Sequence, residues 1–321
     1  VADKQWFATD TIGGALSMAT LSAKVRHAAQ PLMKFQQFCN VKEAFGKGRH
    51  DELVFDKISN ISTAGTKLTE TSEMPVSQVS ITLGTLTITE YGRAIPYSGK
   101  VEALSKLSVN DTIIQALKND MAKALDQAAY DEFATSDVRY TVRGTATGIF
   151  STTGTMATDN TALGDLNAYH VRNIVQWMKT QQMPTYDGRD YICIASPNAV
   201  KGLLSDSGWQ DAYKYTKPEN MWAGEVGRIY GCRVVEETHL LSNTLGGTSG
   251  TSGTYGEAVF FGADAVMYGV ATAPHLRVKE ITDYGRSKGV AWYGILGFQK
   301  IWDNSADGES RIVHVSCGTG T

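Results

Sequence analysis

The side chains with chemical potential in this sequence are six histidines, four cysteines, adjacent carboxylates and one acidic turn. His27, His50, His170, His239, His275 and His314 fall at no metal-ligand spacing, and none has an acid or cysteine partner at helical distance. They read as surface or half-buried residues. Asp303-Asn304-Ser305-Ala306-Asp307-Gly308 imitates the start of a calcium loop, but His314 stands where the bidentate Glu is required. The stretch reads as a plain Asp/Gly turn. Glu236 and Glu237 are neighbours on a strand pattern, so they point to opposite faces and cannot share a substrate. A nucleophile elbow needs Gly-x-Ser-x-Gly between a strand and a helix, and the Gly/Ser run at 247–253 lacks that spacing. Gly46-Lys47-Gly48 matches neither phosphate-cradling glycine pattern. Cys39, Cys193, Cys232 and Cys317 form no CxxC pair and read as buried free thiols. No catalytic, cofactor-binding or metal-binding residue is assigned, and no cofactor is expected.

With chemistry empty, the elements that would have positioned it become the message. The chain has 321 residues, 42% of them hydrophobic, enough for roughly two core-bearing units. Thirty-two glycines against seven prolines favour strands and turns over a helical bundle, so the class is mixed α+β. A net charge of −3 without a basic block excludes a sequence-reading nucleic-acid binder. The N-terminus lacks a signal-peptide pattern. The most apolar stretch, 258–273, is interrupted by Gly262, Asp264 and Gly269, so no membrane span is expected and folding in a cytoplasm is.

Residues 1–50 read as an arm, with a helical pattern over 22–38 carrying Val25, Leu32 and Phe35 and broken by Pro31. Residues 51–100 read as a long β-ribbon. Leu53 and Phe55 run outward, Val79, Ile81 and Leu83 return, and Leu86 and Ile88 then continue at even positions, which predicts a bulge near Gly84-Thr85. Its second face is read as Ser80, Thr82, Thr85, Thr87 and Thr89, a surface in need of a partner, and its tip (62–75) is polar.

Ser108 caps a long helix expected to run to about Thr135. Ile113, Leu117, Met121, Ala124, Leu125 and Ala128 form its apolar stripe, with Lys118, Asn119, Lys123 and Asp126 on the polar side. A strand is expected at 140–142, a second helix after Asp165, and a buried strand at 191–195. Ser196-Pro197 then caps a short helix to about Leu204. Further strands are expected at 231–236, 258–261, 276–281, 290–301 and 311–317, with a flexible loop at 246–253.

This order of parts resembles the plan of tailed-bacteriophage major capsid proteins. Three runs carry the likeness: Tyr91-Gly92-Arg93-Ala94-Ile95-Pro96-Tyr97-Ser98, Ala195-Ser196-Pro197-Asn198, and Gly227-Arg228-Ile229-Tyr230-Gly231-Cys232-Arg233-Val234-Val235. They are similar to the capsid proteins of the N-four-like podophage group. The resemblance implies the Hong Kong phage type major capsid fold: an N-terminal arm (1–50), an extended loop (51–100), and a spine helix with the first part of a peripheral domain (101–184). An axial domain (185–265) and the C-terminal strands of the peripheral domain (266–321) would follow.

It further implies self-assembly into hexamers and pentamers of an icosahedral head, formed in the host cytoplasm and located in the virion. Packaged double-stranded DNA would be contacted non-specifically, with portal, scaffolding and decoration proteins as further partners. No charged coiled-coil segment precedes Val1, so an internal scaffolding domain is expected to be absent or removed. Some relatives close the shell with Lys–Asn isopeptide bonds; Lys57 and Lys67 match no such pattern, and non-covalent closure is expected. The inter-subunit candidates are Lys67, Glu70 and Glu73 at the ribbon tip and Arg93 at its base. Two rivals stand beside this reading: an encapsulin-type compartment enclosing an enzyme cargo, and an α+β hydrolase or carbohydrate-binding protein using Trp209, Tyr213, Trp222 and Asp303.

Overall fold

The computed structural model describes residues 33–42, 52–58, 81–105, 108–154, 163–206, 225–239, 256–280 and 283–318, with scattered positions between 65 and 79. The helical pattern expected over 22–38 therefore lies mostly outside the described residues. Its last part is a 3-10 turn, Phe35–Phe38, followed by strand β1 (Asn40–Lys42). Phe35 is fully buried between the rings of Tyr130 and Phe133, so this part of the arm packs on the body of its own chain.

Strands β2 (Glu52–Ile58) and β3 (Ile81–Thr87) pair antiparallel as the expected ribbon. The chain then enters β4 (Thr89–Ser98), a short helix α1 (Gly99–Leu104) and the long helix α2 (Val109–Ala134). Helix α2 begins where expected, with Ser108 Oγ accepting the Asp111 N–H at 3.4 Å, and its C-cap is Thr135. Ile113, Leu117 and Leu125 are buried and Met121, Ala124 and Ala128 flank them, as the stripe requires. Asp126, assigned above to the polar side, is instead buried. The 3-10 turn covers that side of the helix, and the Gln36 N–H donates to Asp126 Oδ1 at 3.3 Å.

Beyond α2 come β5 (Arg139–Gly144), β6 (Thr147–Ser151), helix α3 (Ala168–Thr180), β7 (Tyr191–Ala195) and helix α4 (Pro197–Ser205). Strands β8 (Glu225–Ile229), β9 (Cys232–Glu236), β10 (Gly256–Phe261), β11 (Val266–Val278) and β12 (Ser287–Lys300) follow, then a helical turn α5 (Asn304–Asp307) and β13 (Ile312–Cys317). Seven strands form one sheet in the order β6-β5-β13-β10-β7-β9-β8, and four form another, β1-β11-β12-β4. The strands of 185–265 thus share a sheet with β5, β6 and β13 from outside that range. Of the three C-terminal strands, two lie in the four-stranded sheet and the last in the seven-stranded one. Strand β11 starts ten residues before the expected 276 because it is buried at its beginning and exposed at its end.

The buried faces explain the pattern of β7. Tyr191, Cys193 and Ala195 meet Val171, Ile174, Met178 and Leu203 from α3 and α4. Ile192 and Ile194 face the opposite way, into a cluster with Leu125, Phe133, Phe261 and Phe298. Burial on both faces is why its sequence is continuously apolar. The hairpin β8–β9 turns through Tyr230 (φ 50°) and Gly231 (φ 80°), the two left-handed residues that a tight twisted hairpin demands.

Candidate assembly surface

The ribbon has two unlike faces. Its inner face is formed by Leu53, Phe55 and Lys57 on β2 and Thr82, Gly84 and Leu86 on β3. Leu86 is fully buried against Met267 and Ile301, with Leu53, Phe55 and Trp302 around them. A Cβ at Gly269 would run into Leu86, so that glycine lets the ribbon approach the sheet, while one at Gly84 would run into the ring of its cross-strand partner Phe55, which lies over it within the ribbon. Lys57 Nζ donates to Asp307 Oδ2 at 2.6 Å, and the Thr82 hydroxyl donates to Asp307 Oδ1 at 3.2 Å. Asp307 also accepts the Asp303 N–H at 2.9 Å, which closes the acidic turn on itself. The calcium-loop imitation is therefore a helical turn whose carboxylate anchors the ribbon.

The outer face carries Val54, Ile58, Ile81 and Leu83, exposed at 51%, 62%, 61% and 65%. Two expectations are corrected here. The pairing of β2 with β3 runs from 52↔87 to 58↔81 without a break, so there is no bulge at Gly84-Thr85. Ile81 and Leu83 lie on the face opposite Leu86, and Thr82 faces inward. Thr85 and Thr87 do lie on the outer face, with Glu52 and Asp56, so both faces carry apolar residues, those of the inner face covered by the chain itself and those of the mixed outer face uncovered.

Among the predicted interface residues, Lys67, Glu70 and Glu73 are exposed in the tip region, beside exposed Leu68, Met74, Val76 and Val79. Arg93 lies elsewhere, on β4. Its guanidinium bonds Asp120 Oδ1 at 2.6 Å, and Asp120 Oδ2 accepts the Trp292 indole N–H at 2.9 Å. Arg93 thus helps fix the base of the ribbon to the spine helix of the same chain. Asp120 went unnoticed in the sequence because nothing marks a helical carboxylate as the partner of a strand residue 27 positions away.

Two of the histidines read as surface or half-buried are fully buried. His170 sits between the Tyr140 hydroxyl at 2.8 Å and the Gly144 carbonyl at 2.6 Å, which satisfies both ring nitrogens. His314 has Arg139 Nη1 at 3.1 Å and Glu257 Oε2 at 3.9 Å. Burial, with Arg139 adding to it, pushes His314 down to about 3, so it is neutral near neutral pH. Glu257 is raised by burial and accepts the Tyr130 hydroxyl at 3.0 Å. His314, Glu257 and Tyr130 are buried with Arg139 half-buried beside them, and the cluster packs the sheet against the long helix. The four cysteines are buried free thiols, as expected. Trp209, Tyr213 and Trp222 of the rival ligand site lie outside the described residues.

A family model described as phage capsid protein matches residues 82–303, more than two thirds of the sequence. The chain belongs to the phage capsid protein family. It is a major capsid protein, a structural subunit of a phage head, and the ribbon, spine helix and sheets are the parts of its fold. Solved structures agree on that fold. The capsid of Helicobacter pylori bacteriophage KHP30 is similar with a TM-score of 0.70 and 11% identity, covering 94% of this chain and 95% of that one. The cyanophage Pam1 capsid subunit has a TM-score of 0.68 and 15% identity over 100% of both chains. The capsid protein of Ralstonia phage GP4 has 0.64 and 15%, over 94% and 95%. No curated protein matches the sequence. Among the described residues no helix is long and apolar enough to cross a membrane.

Proposed function

We propose that this capsid protein assembles with itself as hexamers and pentamers into an icosahedral head around packaged double-stranded DNA, in the host cytoplasm, closing the shell without covalent cross-links. The observation that carries the reading is the two-faced ribbon. Its inner face is tied to its own subunit through Asp307, and its outer face presents a row of apolar side chains that one chain alone leaves in water. A neighbouring subunit lying under that row removes it from water, and symmetry repeats the contact around each capsomer.

In this reading Lys67, Glu70 and Glu73 reach the neighbour at the ribbon tip, while Arg93 acts within the subunit. The axial unit keeps its core at 185–265 but continues into β13, β5 and β6, and the rest of the peripheral part is the four-stranded sheet with α2. Portal, scaffolding and decoration proteins would meet the finished lattice. The three runs around Tyr91, Ala195 and Gly227 support placement in the N-four-like podophage group.

The test is negative-stain electron microscopy with size-exclusion chromatography on the purified chain, alone and with scaffolding protein. Shells or capsomer rings are expected, and encapsulated nucleic acid separates a virion shell from an enzyme-bearing compartment. A monomer that no scaffolding protein assembles overturns the reading.

A further inference from the structure

The buried acid on the spine helix is not alone. Asp126, Glu237 and His239 bring one ligand atom each within 4.8 Å of one another, and among the described residues no other trio of histidine, cysteine or acid does so. They come from distant segments. Asp126 lies near the middle of α2, and Glu237 and His239 follow the end of β9. His239 Nδ1 is 3.5 Å from Asp126 Oδ2. Glu237 has no exposed surface; its Oε1 accepts the His239 N–H at 3.1 Å, and its Oε2 accepts no hydrogen bond. Two carboxylates buried side by side, one with an orphaned oxygen, are costly unless a positive charge or a proton joins them. Burial and then Asp126 push the Glu237 carboxyl up to about 8, and the backbone N–H groups of His239 and Lys34, with the Lys34 charge, offset only part of this. Burial raises Asp126 as well.

We propose that Asp126, Glu237 and His239 bind a first-row divalent cation, zinc or manganese, that clamps the spine helix to the segment after β9. One imidazole and two carboxylates suit these ions better than magnesium, which prefers an all-oxygen shell with retained water. Ligands at about 2.1 Å around a tetrahedral ion stand about 3.4 Å apart, so side-chain rotation of an ångström or so completes the site. The Gln36 N–H holds Asp126 Oδ1 and orients the carboxylate from the arm, so the cation would tie three stretches of chain together. Glu237 Oε2 is the oxygen left free to bind it.

The experiment is performed on the full chain in its assembled or capsomer form. The protein is stripped with a chelator, and Zn²⁺ or Mn²⁺ is then titrated in by calorimetry, with Mg²⁺ as control and bound metal counted by mass spectrometry. Electron paramagnetic resonance of the Mn²⁺ form reports an ordered site. One ion per chain is expected for the wild type, at least tenfold weaker binding for His239→Asn, and no stoichiometric binding for Glu237→Gln. The exposed His275→Asn should bind as the wild type does. His239 is partly exposed, so its variant provides the readout even if Glu237→Gln fails to fold. No saturable binding, or binding that His239→Asn leaves unchanged, overturns the proposal and leaves a shared proton as the link between the two acids.

Discussion

The ribbon and the seven-stranded sheet both carry apolar residues on both faces, yet they spend them differently. In the sheet, β7 and β10 are covered by α3 and α4 on one side and by α2 on the other, so every residue of both strands is buried within the chain. In the ribbon, Leu86 and Phe55 are covered while Ile81, Leu83, Val54 and Ile58 are not. The sheet completes its core alone; the ribbon leaves the apolar residues of its outer face uncovered by its own chain. Substitutions in the sheet should therefore cost folding, and substitutions on the ribbon's outer face should cost only association.

The largest effect is expected in the sheet. Phe260 is fully buried on β10, and Phe260→Ala removes a large side chain from a close-packed site, for a loss of about 3–5 kcal/mol. Denaturant unfolding of the soluble subunit measures it. A loss below about 1 kcal/mol would show that this sheet, like the ribbon, relies on neighbours for its stability.

Next comes the anchor between the two regions. Lys57→Ala leaves Asp307, whose side chain is 1% exposed, with the Thr82 hydroxyl and the Asp303 N–H but no counter-charge. Breaking a buried pair from one side costs about 3 kcal/mol. Most of it should appear locally, as faster hydrogen exchange in 52–58 and 81–87 with unchanged protection in β7 and β10. Equal loosening of both regions would mean that the ribbon is an integral part of the core.

Much of the core was legible because it obeys local rules. The apolar run at 191–195, the Ser196-Pro197 cap and the Ser108 start of α2 each carry their own signal, and each element stands where expected. The ribbon was misread at one point. Alternation shows which residues share a face, but not which face meets the chain's own sheet, and a strand apolar on both sides looks like one with a bulge. The acid, glutamate and histidine cluster was invisible for another reason: Asp126 and His239 are 113 positions apart, and a charge one residue from an apolar stripe is ordinarily solvated. Arg93 lies on β4 and bonds the chain's own Asp120, a pairing that no local signal in the sequence marks.

A pH series probes the sheet side of the comparison further. His314 takes up its proton near pH 6.5 when unfolded and only at about 3 when folded, so the unfolded state binds more protons between those values. Stability then falls as the pH drops below about 6.5, by about 2 kcal/mol at pH 5. Glu257 beside it, raised by burial, acts in the opposite sense. The clean measurement is the difference between wild type and His314→Gln, which keeps an acceptor for Arg139. Relative to the variant, the wild type should lose about 2 kcal/mol between pH 7 and pH 5. A difference that does not change with pH would show that solvent reaches His314 and that this part of the sheet is not closed.

The smallest effect on the subunit is the one that decides what the ribbon is for. Leu83 is 65% exposed and faces away from every covered residue of β3, so Leu83→Glu should change the melting of the unassembled subunit by less than about 0.5 kcal/mol. A carboxylate there lies beside Ile81 and across from Asp56, and a subunit packing onto that row would have to bury it unpaired. Particle formation by electron microscopy should then fall to a small fraction of wild type, with secondary structure by circular dichroism unchanged. Leu83→Met, which keeps the apolar surface, should still form particles. If Leu83→Glu assembles normally, the outer face is solvent-exposed in the shell as well, and the polar tip with Lys67, Glu70 and Glu73 must provide the contact between subunits.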